Sequence, residues 1–146
     1  MDKKLFTIDE VNALIPKLEI KITELLQIKQ KLSQLVHTLL DKGLSVEDLM
    51  GETQAVDDDK SEYRKQLEDL GLKLQGHLAD IQSIGCTVKD MDMGLVDFPG
   101  IVDGQEALLC WQLGEKRLAF WHGADEGFGN RRPLFEDAGF EKGQLH

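Results

Sequence analysis

Cysteine and proline are scarce in this chain, and basic residues are outnumbered by acidic ones. Of 146 residues, three are proline and two are cysteine, Cys86 and Cys110. Two cysteines without a Cys-x-x-Cys spacing exclude a disulfide scaffold and the common zinc and redox motifs, so two reduced thiols are expected. No apolar run approaches the roughly 18 residues of a membrane span. The opening Met1-Asp2-Lys3-Lys4 is not followed by the apolar stretch of a secretory signal, so a cytoplasmic location is expected. Lys plus Arg number 17 against 27 Asp plus Glu, a net charge of −10. A phosphate-binding groove needs clustered cations, and an anionic membrane surface repels this charge. Neither nucleic acid nor membrane is therefore an expected partner.

What is present is enough for a core. With 41% hydrophobic residues at this length, one domain over 1–146 is expected. Thr7-Ile8-Asp9-Glu10 matches a capping box, with Phe6 and Val11 at the two staple positions. Pro16 lacks an amide hydrogen and crowds the Asn12 carbonyl, so a kink or restart is expected there. Beyond it Leu18, Ile22, Leu25, Ile28, Leu32, Leu35 and Leu39 recur every three or four positions, with Leu26, Val36 and Leu40 widening the stripe. Lys42-Gly43 closes this helix. Ser45 caps a short turn that ends at Met50-Gly51. Asp57-Asp58-Asp59 starts a second long helix, with Asp59 and Glu62 as its capping box and Tyr63, Leu67, Leu70, Leu74, Leu78, Ile81 and Ile84 as its stripe. Gly71 and Gly76 weaken that helix and suit the close approach of a neighbour. A hairpin over 7–84 follows, its two long helices antiparallel.

After Gly85 the period changes from 3.6 to 2, and an antiparallel meander is expected over 86–122. Cys86 to Lys89 reads as a short strand. Asp103-Gly104 suits a type I′ turn, which pairs Val102 with Gln105 and Val96 with Trp111. A type II′ loop with Gly114 first pairs Leu113 with Lys116 and Leu109 with Phe120. One face then collects Val96, Phe98, Ala107, Leu109, Trp111, Leu113, Leu118, Phe120 and His122, which the helical hairpin is expected to cover. The other face holds Leu95, Asp97, Pro99, Leu108, Cys110, Gln112, Arg117, Ala119 and Trp121, and a docking tail over 123–146 supplies Phe128, Leu134, Phe135 and Phe140 to cover it. The fold expected is α+β, a long antiparallel helical hairpin packed on a three- to four-stranded antiparallel β-meander.

Gly94-Leu95-Val96-Asp97-Phe98-Pro99, Leu109-Cys110-Trp111, Leu113-Gly114-Glu115, Trp121-His122, and Gly127-Phe128 with Arg131 and Pro133-Leu134 resemble a small bacterial family known as domain of unknown function 2203. Phe6-Thr7 and Ala13-Leu14-Ile15-Pro16 are similar to that family's start. The resemblance runs to about Leu134 and leaves the last dozen residues as an appended tail. It implies a helical segment joined to a compact C-terminal module, and it carries no activity, cofactor or catalytic residue.

Chemistry is sparse. Cys110 and His122 suggest a nucleophile pair or two metal ligands, but the expected register puts them on opposite faces. A three-residue turn at Gly114-Glu115-Lys116 puts them on one face. Asp97 suits an ion pair with Arg117, Arg131 or Arg132 better than a general base. His77 reads as a boundary residue beside its stripe. The glycine-rich segment from Gly123 to Pro133 lacks both P-loop and Rossmann spacing. No catalytic residue, metal ligand or cofactor is assigned. The function expected is a non-catalytic structural or interaction module that forms a homodimer or receives another helical protein, because the Leu26/Leu40 row exceeds what a two-helix contact needs. The alternative is a small-ligand or metal-assisted site at the sheet margin, built from Asp97, Trp121, His122 and Arg131.

Overall fold

The computed structural model describes residues 4–51 and 58–135. Its class is α+β. Helix α1 (Ile8–Asp41), a short α2 (Val46–Met50) and α3 (Asp58–Gln82) precede strands β1 (Thr87–Asp90), β2 (Leu95–Val102), β3 (Gln105–Gln112), β4 (Phe120–His122) and β5 (Arg132–Pro133). The strands form one antiparallel sheet in chain order. The two-residue β5 makes five strands of the expected three or four. Contacts gather into two compact units, one of residues up to 23 and from 80 onward, the other of residues 24–79.

The caps follow from the local sequence. Thr7 and Glu10 exchange the two bonds of a capping box, Glu10 N–H to Thr7 Oγ1 at 3.1 Å and Thr7 N–H to Glu10 Oε1 at 2.9 Å. The helix then runs on through Pro16 without a restart. It ends at Gly43, where φ is +77° and Leu44 N–H reaches back to the Leu39 carbonyl at 2.8 Å, a closure that favours glycine. Ser45 and Asp48 form the box that starts α2. The acidic cap expected at Asp57 to Asp59, like the tail contact of Phe128 and Phe140, lies outside the residues or side chains described.

In the second unit Leu35, Leu39, Leu49 and Leu67 form a buried cluster, with Leu32, Val36, Tyr63 and Leu70 partly buried against it. The stripes of α1 and α3 thus meet as their periodicity requires. Gly71 and Gly76 have open space where a Cβ would stand, so neither has a close neighbour among the described residues. Their cost is conformational only.

In the first unit Val11, Ile15, Leu18 and Ile22 of α1 are buried, as are Val96, Phe98, Leu109, Trp111 and Leu118. Asn12 Oδ1 accepts the Leu118 N–H at 2.6 Å, and Phe6 donates its N–H to the Pro99 carbonyl at 2.7 Å while its ring meets Phe98 edge-on. Asp103 and Gly104 both have positive φ, as a type I′ turn needs, and β2 pairs with β3 in the expected register, from Val102 with Gln105 to Val96 with Trp111.

The next pairing differs by one residue. Leu109 lies opposite Trp121, and Cys110 opposite Phe120. The connection is the seven-residue stretch from Leu113 to Ala119, and Glu115 explains it. The Gln112 carbonyl accepts the Glu115 N–H at 2.9 Å, so Gly114, at φ +102°, stands third in the turn and not second. Gln112 N–H donates to Glu115 Oε1 at 2.8 Å, and the Trp111 indole N–H donates to the Glu115 carbonyl at 2.9 Å. Phe120 and His122 therefore leave the face of Leu109 and Trp111, and Trp121 takes that side. The tail extends the sheet edge, where Leu134 N–H bonds the Ala119 carbonyl at 2.8 Å, and its Phe135 packs on Ala119 and Phe120.

Gly94 tests this packing. Its φ is +66°, and an added Cβ would stand 2.6 Å from Leu113 Cβ. Gly94→Ala is expected to cost about 2–4 kcal/mol, from left-handed strain and overpacking together. Gly76→Ala, in open space on α3, is expected to gain up to about 1 kcal/mol. Urea denaturation of the two variants checks the contrast.

Candidate functional site

The one-residue shift places three chemically able side chains on one face of the sheet. Asp97 on β2 stands opposite Cys110 on β3, and His122 on β4 follows on the same face. All three are buried, at 2%, 0% and 3% exposure. Among the described residues these three bring one ligand atom each to within 4.8 Å of one another.

Hydrogen bonding fixes the histidine. Its Nδ1 lies 2.9 Å from the Gly123 carbonyl, and its Nε2 lies 3.0 Å from Asp97 Oδ2. A carbonyl only accepts, so Nδ1 carries a hydrogen. Nε2 then faces a carboxylate oxygen, and the contact needs a shared proton or a cation in its place. The second oxygen, Asp97 Oδ1, is buried with no hydrogen-bond partner of ordinary geometry among the described residues. An unmet buried acceptor costs about 1–3 kcal/mol, more when it is charged.

Cys110 is no nucleophile here. Burial is the main cause that pushes its thiol up to about 12, with Arg131 opposing and both the charge of Asp97 and a hydrogen bond to its carboxylate adding to the rise. Both ring nitrogens of His122 are engaged, so neither is left to take the thiol proton. The shared face that a Cys/His nucleophile pair needs is present, and a free imidazole nitrogen is not.

Arg131 closes the site from the tail. One of its terminal nitrogens donates to the Cys110 carbonyl at 3.3 Å and to both Glu115 oxygens, at 2.7 and 2.8 Å. Its guanidinium also stacks 4.1 Å from the Phe120 ring centroid. Glu126 holds the strap further along, accepting the Gly123 N–H at 2.8 Å and pairing with Arg132 at 2.7 Å.

Of the four residues expected at a site, Asp97, His122 and Arg131 come together around Cys110. Trp121 does not, since its ring lies on the opposite face, with Arg132 stacked 4.8 Å from it. Cys110 and Glu115 complete the cluster. Cys110 was legible as a partner of His122 through the longer turn. The role of Glu115 rests on side-chain bonds that no spacing reveals.

A family model described as "Uncharacterized conserved protein (DUF2203)" matches residues 4–134 of this chain. No curated protein and no solved structure matches it.

Burial also raises Cys86, to about 11. A thiol whose folded pKa is raised holds its proton after the unfolded chain has released it, so stability falls as pH rises above the ordinary 9.0. The slope is about 1.4 kcal/mol per pH unit for each thiol. Urea midpoints at about pH 8 and about pH 10.5 are expected to differ less in Cys110→Ala than in the unsubstituted chain; equal differences would contradict the assignment.

Proposed function

We propose, for a chain that belongs to the DUF2203 family of uncharacterized conserved proteins, that it is a non-catalytic interaction module whose helical hairpin pairs with a second copy of itself. The observation that carries this reading is the exposed leucine on each of the two long helices. Leu40 on α1 and Leu72 on α3 are 58% and 68% exposed, while Leu39 and Leu67 are buried. Leu26, in the row of Leu40, is only half-buried. A further helix from a second chain covers such a row in the manner of a coiled coil. Another helical protein is the alternative occupant.

Burial of Cys110, which pushes its thiol up to about 12, favours a non-catalytic role for that residue. We place the protein in the bacterial cytoplasm, a reading supported by two unbridged cysteines. No described helix is long and apolar enough to cross a membrane.

A second reading is favoured by one specific observation, the buried Oδ1 of Asp97 with no hydrogen-bond partner of ordinary geometry among the described residues. On that reading the cluster of Asp97, Cys110 and His122 beneath Arg131 holds a small ligand.

Native mass spectrometry tests the first reading. The expected mass is twice 16.4 kDa, and each of Leu40→Glu and Leu72→Glu is expected to weaken the dimer about tenfold or more, given about 1.5–3 kcal/mol for a buried leucine. With −10 on each copy, added salt should tighten the association. A chain of 16.4 kDa at every concentration would overturn the reading.

A further inference from the structure

We infer that Asp97, Cys110 and His122 bind one divalent transition-metal ion of the zinc class, through a carboxylate oxygen, Sγ and Nε2. The inference rests on the second reading above and names its ligand.

The donor set is the first argument. One oxygen, one sulfur and one imidazole nitrogen suit zinc and its neighbours, whereas magnesium and calcium take oxygen donors in larger number. Spacing is the second. Tetrahedral bonds of about 2.0 Å to oxygen and nitrogen and about 2.3 Å to sulfur separate the donors by about 3.3–3.6 Å. The observed Oδ2 to Nε2 distance is 3.0 Å, and all three donor atoms lie within 4.8 Å of one another.

The bonds around the cluster are those of an outer shell. Metal-binding histidines donate the other ring N–H to a carbonyl or carboxylate, which fixes the ring and its tautomer. His122 Nδ1 meets the Gly123 carbonyl in that way, at 2.9 Å. Asp97 Oδ1, which has no hydrogen-bond partner of ordinary geometry among the described residues, is the independent sign that this carboxylate can take a further partner. Its residue is 2% exposed, so bulk water does not solvate that oxygen.

Charge also closes. Asp97 and His122 share one proton and the thiol holds another, so the buried group is neutral. An ion of charge two displaces both protons, leaving carboxylate, thiolate and neutral imidazole, and the sum is again zero. Entry therefore leaves no uncompensated charge in the interior. Three protein donors leave one coordination position open. Because the donors are buried, the ion enters as the chain folds or as the Arg131 strap lifts.

Cobalt(II) is the probe, added to chelator-treated full-length chain, both native and during refolding from urea. The expected result is one ion per chain, with a thiolate-to-cobalt charge-transfer band in the near ultraviolet that zinc bleaches and magnesium does not. Cys110→Ser should lose the band, and Asp97→Asn and His122→Ala should weaken zinc at least about tenfold. The wild-type spectrum decides the matter even where a variant fails to fold. No cobalt band in the wild type, or one that persists in Cys110→Ser, would overturn the inference. An organic molecule retained in native mass spectra and lost from Asp97→Asn would overturn the metal while leaving the binding reading in place. If nothing is retained and no band forms, both fail together, and Asp97 and His122 are a structural pair.

Discussion

Glu115 accepts the Gln112 N–H with its carboxylate and the Trp111 indole with its carbonyl, and the register of β4 depends on those two bonds. They hold a tight turn at Gln112 to Glu115, after which Lys116 to Ala119 continue as irregular chain. Leu118 uses that slack to bury its side chain, with its N–H on Asn12. Strand β4 then starts one residue out of step with a two-residue hairpin. Since side chains alternate across a strand, that single step moves His122 to the face of Asp97 and Cys110. The same carboxylate receives Arg131, so the turn that sets the register also anchors the strap that covers the result.

The cluster so formed has contradictory properties for a nucleophilic cysteine and consistent ones for holding a cation. A nucleophilic cysteine needs a lowered pKa and a base with a free nitrogen. Cys110 is pushed up to about 12, and His122 spends one nitrogen on Gly123 and the other on Asp97. A cation asks instead for anionic and neutral donors that converge, with their outer bonds already made. Removing one partner from such a buried set is costly, about 3–5 kcal/mol for a buried pair.

Much of the fold was legible because local chemistry and long-range packing agree. Thr7 and Glu10, the leucine stripe of α1, Gly43, Ser45 and Asp103-Gly104 each act within a few residues of themselves, and each takes the conformation its sequence dictates. The site was less legible, and for a definite reason. Phe120 and Trp121 are adjacent aromatics, so either parity of β4 gives an apolar residue on each face. The alternation that pinned β2 against β3 therefore said nothing decisive about β4. Gly114 is equally at home second in a II′ turn or third in a II-like one, because its positive φ serves both. The bonds that choose between them come from Glu115, Asn12 and Arg131. Asn12 is 106 positions from its partner Leu118.

The register of β4 is the claim on which the site stands, and cross-strand nuclear Overhauser effects read it directly. The account predicts effects that link Cys110 with Phe120 and Leu108 with His122, the pairs that bring the imidazole beside Asp97. Effects that link Leu109 with Phe120 and Trp111 with Leu118 would return His122 to the opposite face and contradict it.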